Sequence, residues 1–279
     1  MDNMKIAIQG EAGSFHDLAA RQYFTNEKVE IVPCSTFDLT LNTVKEGVAE
    51  FAIMAIENAR AGSILYNYTL IRESGLKILG EHDIRIRQNL MALPGQTLND
   101  ITEIRSHPIA FAQCMSFLNE LHGITFIESD DTAGSARFIQ ENSLKGSAAI
   151  APSIAAGLYG LEIIASGIET YKQNYTRFLV VGSKTRGKKN GNKASLCFSL
   201  KHQPGSLAGV LARLAEMKIN LTKIQSVPRL NGGWEYMFYI DLELTPSSNI
   251  EMVENELIEF TTDLEILGVY NKGDKLYES

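Results

Sequence analysis

Cysteine is scarce in this chain: three residues in 279, Cys34, Cys114 and Cys197. An odd number at such separations gives no disulfide framework, and without a Cys-x-x-Cys pair no zinc site is suggested. Small buried thiols in a reducing cytoplasm are the expectation. Long apolar runs are missing too. No uninterrupted stretch is long enough to span a bilayer, so no membrane role is expected. Residues 1–9 pass straight into a strand-like run with no basic segment ahead of a long apolar one, so no signal peptide is expected. Basic excess is also absent: 26 Lys and Arg stand against 33 Asp and Glu, a formal net charge of −7. That argues against a nucleic-acid partner, and it means that an anionic ligand is held by local cations rather than by the global field. A Walker loop, a nucleophile elbow and a metal-ligand cluster are all lacking. The glycine-containing turn at Gly10-Glu-Ala-Gly-Ser-Phe-His16 has the wrong spacing for the dinucleotide fingerprint. No cofactor and no metal are expected.

What is present is an ordinary globular composition, 44% hydrophobic and 21% charged, in a chain long enough for two or three cores. Residues 183–193 are polar, basic and glycine-containing, and read as a solvated linker. Before them strands and helices alternate. Strands are expected at 5–9, 29–32, 51–56, 76–79, 84–93, 124–127, 148–151 and 175–181. Helices are expected after Ser14 and Thr36 and over 108–121, 132–141 and 153–159. Two such series suggest two α/β lobes with a cleft between them. After the linker the order is β-α-β-β-α-β: strands at 194–200, 220–227, 234–244 and 264–270, a turn at Gly232-Gly233, and helices from Ser206 and around Ile250, Val253, Leu257 and Phe260. That is the ferredoxin-like split unit.

The chemistry concentrates at element ends. In Asn174-Tyr-Thr-Arg-Phe178 a hydroxyl, Thr176, and a permanent cation, Arg177, precede a buried apolar strand. Two readings are open: a strand end with a surface arginine, or a proton donor beside an anion holder. Glu57, Asn58 and Arg60 follow the apolar strand 51–56, and the carboxyl ends of such strands are where open α/β sheets bind ligands. Asn58 there either contacts a polar ligand or caps the next element. Ser106 and His107 precede Pro108 at a helix start, with Gln113 one to two turns in. Ser106 reads as an N-cap, and adjacent Ser106 and His107 project too differently for a catalytic pair. Asp130-Asp131-Thr132 is explained by capping.

In order along the chain, residues 10–15, Glu57-Asn58 with Gly62-Ser63, Ser106-His107-Pro108 with Gln113-Cys114, Asp131-Thr132-Ala133, residues 155–161 and residues 174–178 match one family. Residues from about 4 to 183 resemble prephenate dehydratase, and 194–272 resemble an ACT regulatory domain. The resemblance implies an α/β two-lobed, periplasmic-binding-protein-like catalytic module plus a ferredoxin-like βαββαβ ACT domain. The implied division is a catalytic part at 1–183, with lobes at about 1–82 plus 170–183 and at 83–169, a linker at 184–193 and a regulatory part at 194–279. The implied reaction turns prephenate into phenylpyruvate with loss of water and carbon dioxide, in phenylalanine biosynthesis, under feedback by L-phenylalanine. Thr176 is then the donor to the departing hydroxyl and Arg177 the carboxylate anchor. Asn58, Ser106 and Gln113 orient substrate, with Glu57, Thr132 and Phe178 at the pocket. Gly205, Ser206, Leu207, Ala208, Asn220, Leu221, Gln225 and Ser226 fall on the effector motifs. A homodimer or homotetramer is implied, because ACT domains pair side by side. The chain departs from the family pattern at Gln225 and Val227, where an acid and a base are usual, and at Ala59 and His16, where hydroxyl residues are usual. Arogenate dehydratase is the neighbouring alternative, and a non-catalytic two-lobed ligand sensor the alternative from another class.

Overall fold

The computed structural model describes residues 3–186, 190–229, 236–246 and 249–273. They form two compact units, the first from residues 3–62 and 83–178, the second from 63–82 and 179–273. The expected turn at Gly232-Gly233 lies outside the described residues. No described helix is long and apolar enough to cross a membrane.

In the first unit, β1 (Met4–Gln9) pairs in parallel with β2 (Val29–Cys34) on one side and β3 (Phe51–Asn58) on the other. The crossovers are α1 (Phe15–Tyr23) and α2 (Phe37–Lys45). Their starts are set by short hydroxyl side chains: Ser14 accepts from the Asp17 amide and Thr36 from the Leu39 amide. Ile53, Met54, Ala55 and Ile56 of β3 are all buried, as a strand covered on both faces requires. The sheet order is β2-β1-β3-β11-β5, where β5 is Lys77–Arg85 and β11 is Tyr175–Gly182, with the two-residue β4 (Gly62–Ser63) beside β3.

The second sheet joins β6 (Asn89–Ala92), β7 (Glu103–Ser106), β8 (Thr125–Glu128), β9 (Ser147–Ala151) and β10 (Glu162–Ser166) in the order β10-β6-β9-β7-β8. β7 runs parallel to β8 and β9, and β6 antiparallel to β9 and β10. Side-chain alternation feeds two cores. Leu90, Ala148 and Ile150 meet Ile104 and Cys114 on one face, while Met91, Ala149 and Ala151 meet Ala133, Ile139 and Ala155 on the other. The helices α6 (Thr132–Glu141) and α7 (Ser153–Tyr159) have the expected bounds. The single helix expected over 108–121 does not form. α4 (Pro108–Gln113) stops at Cys114, whose φ of −106° and ψ of 12° leave the helical region, and α5 (Met115–Leu118) follows. A crossing segment causes the break. The Thr170 amide donates to the Gln113 carbonyl at 2.8 Å, and the Thr170 hydroxyl accepts from the Ser116 amide at 3.1 Å.

In the second unit, β12 (Lys193–Ser199), α8 (Ser206–Glu216), β13 (Asn220–Pro228), β14 (Tyr236–Glu243), α9 (Ile250–Leu257) and β15 (Thr262–Tyr270) form an antiparallel sheet of order β13-β14-β12-β15. This is the ferredoxin-like βαββαβ arrangement. Ala194, Leu196 and Phe198 face a core with Val210 and Leu214 of α8 and Val253 and Leu257 of α9. Phe260, expected on the α9 stripe, lies past its end and is exposed. The alternate residues Lys193, Ser195 and Cys197 of β12 are equally buried, under a segment that the sequence pattern did not reveal. That segment is α3 (Leu65–Ser74) with the first residues of β5. Lys193 Nζ pairs with Glu81 at 2.8 Å, both nearly without exposed surface. The Ser195 hydroxyl donates to Asp241 at 2.5 Å and meets the Tyr270 hydroxyl at 2.7 Å. Tyr68 packs its ring 5.4 Å from that of Tyr239, and Lys223 Nζ donates to the Ser63 hydroxyl at 2.8 Å. At Gly268 an added Cβ would run into the Ile78 carbonyl, so this close approach admits only glycine.

Candidate active site

The end of β3 and the start of β11 meet through Asn58. Its Oδ1 accepts from the Arg60 amide at 2.9 Å and the Ala61 amide at 2.8 Å. Backbone amides cannot turn into acceptors, so these two contacts fix which end of the carboxamide is oxygen. Its Nδ2 therefore faces the other way, donating to Thr176 Oγ1 at 2.8 Å and Asn174 Oδ1 at 2.9 Å. Of the two readings of Asn58 the capping one is seen: one atom caps the turn, and the other is spent on Thr176 and Asn174 rather than offered to a ligand. Because the Thr176 oxygen already accepts a hydrogen bond, its own proton is free to be donated elsewhere, and donation into it polarises the hydroxyl in that direction. Asn58, Asn174 and Thr176 are all buried, which raises what each of these bonds is worth.

A cavity of about 350 Å³ opens beside this chain of amides, lined by Arg60, Ala61, Ile109, Ala112, Gln113, Tyr171 and Asn174. Gln113 reaches it from α4, and its Oε1 accepts from Gln88 Nε2 at 2.9 Å. Its neighbour Cys114 is buried, which pushes the thiol up to about 12 and keeps it protonated. His16 lies between the rings of Phe37 and Phe178, with centroids 5.6 and 5.1 Å away. Removal from water lowers its pKa to about 4, so the ring is neutral, and Nε2 accepts from the Ala55 amide at 3.4 Å. At the β1–α1 turn, Glu11 pairs with Arg137 at 2.9 Å, and the Tyr159 hydroxyl donates to the Ala12 carbonyl at 2.7 Å. Gly10 has φ of 92°, and a Cβ there would meet the Asp131 carboxylate. Among the described residues no three His, Cys, Asp or Glu side chains gather as a metal site.

Several expected site residues sit elsewhere than a substrate pocket. Ser106 has no exposed surface and donates to the Ile150 carbonyl at 2.7 Å. It is not the N-cap of α4 either; His107 is, its Nδ1 accepting from the Ile109 amide at 3.1 Å. Phe178 is 1% exposed and packs edge-on against His16, so it supports β11 and offers nothing to a ligand. Arg177 follows Thr176 on a strand, where successive side chains leave opposite faces, so the two do not project together. Nor does Arg177 line the cavity; Arg60 is the cation there. Glu57 is half-buried on β3, and Thr132 begins α6 behind the Asp131 cap. Arg60, Tyr171 and Asn174 join the site although their local sequence carries little beyond polarity; only the position of Arg60 after an apolar strand pointed to it.

In the second unit, a smaller cavity of about 140 Å³ is lined by Ser206 and Leu207 together with Leu200, His202, Tyr236 and Phe238. Gly205 is the left-handed N-cap of α8, and the Ser206 hydroxyl donates to the Lys201 carbonyl at 2.9 Å. Ala208 is exposed on α8 and Leu221 half-buried on β13. Asn220 is tied to Glu243 at 2.8 Å. Gln225 and Ser226 lie on β13, opposite Tyr239 and Phe238.

The prephenate dehydratase family model matches residues 6–186. Arogenate dehydratase/prephenate dehydratase 2 of Arabidopsis thaliana is 37% identical over 96% of this chain and 72% of its own length. The bifunctional N-acyl-homoserine lactone acylase/prephenate dehydratase of Komagataeibacter europaeus is 36% identical over 95% of each chain. Among solved structures, a prephenate dehydratase from Arthrobacter aurescens in complex with L-Phe is similar, with a TM-score of 0.85 and 27% identity over 96% of this chain and 90% of that one. The matched region takes in the first two of the three sheets, the Asn58 turn and the strand that bears Thr176, and so the chain belongs to the prephenate dehydratase family.

Proposed function

We propose that this chain is a prephenate dehydratase, converting prephenate to phenylpyruvate, water and carbon dioxide. In that reaction the electron pair of the bond between the ring and its carboxylate flows into the ring as carbon dioxide leaves. The ring becomes aromatic as the C4–oxygen bond breaks, and the departing hydroxide takes up a proton. No electrons are gained or lost overall. The protein needs to hold carboxylates, donate to the departing oxygen and orient the ring.

The observation that carries this reading is the hydrogen bond from Asn58 to Thr176, whose amide is fixed by two backbone donors. It supports a reading of Thr176 as a positioned donor toward the leaving oxygen. A threonine hydroxyl is too weak an acid to act without such help. Gln113 orients substrate from the cavity wall, while Ser106 and Phe178 act from beneath, through Ile150 and His16. Assignment of Arg177 to a substrate carboxylate is supported by the motif Thr176-Arg177-Phe178 rather than by a contact. Absorbance of phenylpyruvate formed from prephenate, run beside arogenate, tests the reaction; turnover of neither substrate removes it.

We assign residues 1–183 to catalysis, 184–193 to the linker and 194–279 to an ACT regulatory domain responding to L-phenylalanine. The small cavity at Ser206 and Leu207 supports an effector site there, completed by a second chain in a homodimer or homotetramer. A cytoplasmic location is supported by three buried free thiols. Calorimetry with L-phenylalanine and the mass in solution test these assignments.

A further inference from the structure

The wall of the cavity beside Asn174 is uneven in charge. It carries the guanidinium of Arg60 and, among the described residues, no carboxylate. Arg60 has no ion-pair partner among them either; its side chain lies over the Tyr171 ring, 4.0 Å from the centroid. Arg60 is exposed and solvated, yet a permanent cation at the edge of a cavity whose lining holds no carboxylate suits an anionic ligand. The stacking matters for how it binds. A ring against the flat face of a guanidinium leaves the in-plane N–H donors free, and those are the donors that match the two oxygens of a carboxylate. Position matters as well. The Arg60 amide is held by Asn58 Oδ1, the same atom that orients the donor to Thr176. The anion holder and the leaving-group donor therefore share one anchor. Gln113, with Oε1 engaged by Gln88, keeps Nε2 as its free donor on the same wall.

We propose that Arg60 binds the carboxylate of the substrate's three-carbon side chain and so selects a 2-keto acid over the corresponding 2-amino acid. The inference rests on the dehydratase reading and names the chemistry by which that site chooses prephenate over arogenate. Beside the bound carboxylate, prephenate presents a carbonyl oxygen, an acceptor suited to an amide donor. Arogenate presents an ammonium, which meets a guanidinium and an amide N–H with no acid in the lining to neutralise it. Arg60 and Tyr171 are exposed, so water weakens the repulsion between like charges a few ångströms apart, but its sign still disfavours the ammonium.

The test compares prephenate and arogenate turnover in the wild type, Arg60→Met and Tyr171→Leu. Methionine keeps much of the stem and loses the charge. The wild type favours prephenate. Arg60→Met lowers kcat/KM for prephenate by roughly 10- to 100-fold, mainly through KM, and lowers that for arogenate less, so the preference shrinks at least about tenfold. Tyr171→Leu, which removes only the platform, moves the ratio the same way by a smaller factor. Prephenate turnover by the wild type with an unchanged substrate ratio in Arg60→Met overturns the proposal and leaves the dehydratase reading standing. Turnover of neither substrate by the wild type overturns the dehydratase reading instead. Calorimetric binding of phenylpyruvate, itself a 2-keto acid, then judges Arg60 alone: weaker binding to Arg60→Met supports it, and equal affinity overturns it.

Discussion

Asn58 donates to Thr176 across 2.8 Å and cannot turn round to accept, because its oxygen is held by two backbone amides. The relationship is directional. It dictates that the threonine proton points away from Asn58, and the chemistry proposed for the site needs that proton.

Removing the hydroxyl should therefore be felt in turnover rather than in binding. Thr176→Ala is expected to lower kcat by about 10²-fold or more with KM little changed, and Thr176→Ser to retain most of the rate. Steady-state kinetics on prephenate decide it. Wild-type-like turnover in Thr176→Ala would falsify the role.

Replacing Asn58 with aspartate keeps an acceptor for the Arg60 and Ala61 amides but exchanges the donor for a second acceptor. The Thr176 proton is then drawn toward the new carboxylate. Asn58→Asp should lose about as much kcat as Thr176→Ala at neutral pH. Activity should rise on acidification, as the protonated carboxyl regains a donor. A pH–rate profile without that acid limb speaks against the directional account.

His16 links stability to pH. Its folded-state pKa of about 4 lies below the ordinary 6.5, so between those values the unfolded chain binds the proton that the folded chain refuses. The folded form keeps this contribution in full above pH 6.5 and loses it as pH falls toward 4, by up to about 3 kcal/mol. Urea unfolding at pH 7 and pH 4.5 should give a larger drop for the wild type than for His16→Gln. Equal drops would remove His16 as the cause.

The Lys193–Glu81 pair is buried on both sides. Lys193→Met should destabilise the protein by about 3–5 kcal/mol, because the buried Glu81 loses its cation. Lys193→Met combined with Glu81→Gln should recover most of that loss. Chemical denaturation of the single and double variants measures both, and a double variant no more stable than the single one contradicts the assignment.

Much of this architecture was readable from periodicity and caps. Ser14, Thr36 and Asp131 announce their helices by short oxygen side chains that accept first-turn amides, and the apolar run 51–56 announces a strand buried on both faces. α3 was not readable. Ile64 precedes it with no side-chain cap, and Tyr, Asn, Thr and Ile within it favour other states. The break at Cys114 was invisible because its cause, Thr170, lies more than fifty residues away in sequence. The site divides in the same way. Asn58 and Thr176 lie in motifs at strand ends, but the hydrogen bond that joins them spans 118 positions. Thr176 and Arg177 adjoin in the sequence, but the alternation of a strand sends such neighbours to opposite faces. Ser106 and Phe178 are polar and aromatic residues at plausible places, and only burial tells support from contact.

Ser63 lies five positions after Asn58, and its hydroxyl is gripped by Lys223 of the βαββαβ sheet. The helix that follows is seated on that sheet through Tyr68 and Tyr239. The βαββαβ element is thus not a detachable module hung on a linker. It holds a handle, residues 63–82, cut from the middle of the family-matched region, and the short tether ahead of that handle carries Arg60 and Ala61, whose amides orient Asn58. A displacement of the handle has only four intervening residues to absorb it, so strain arising at the βαββαβ sheet would be delivered to the Asn58 turn by covalent bonds, without any relay of side chains.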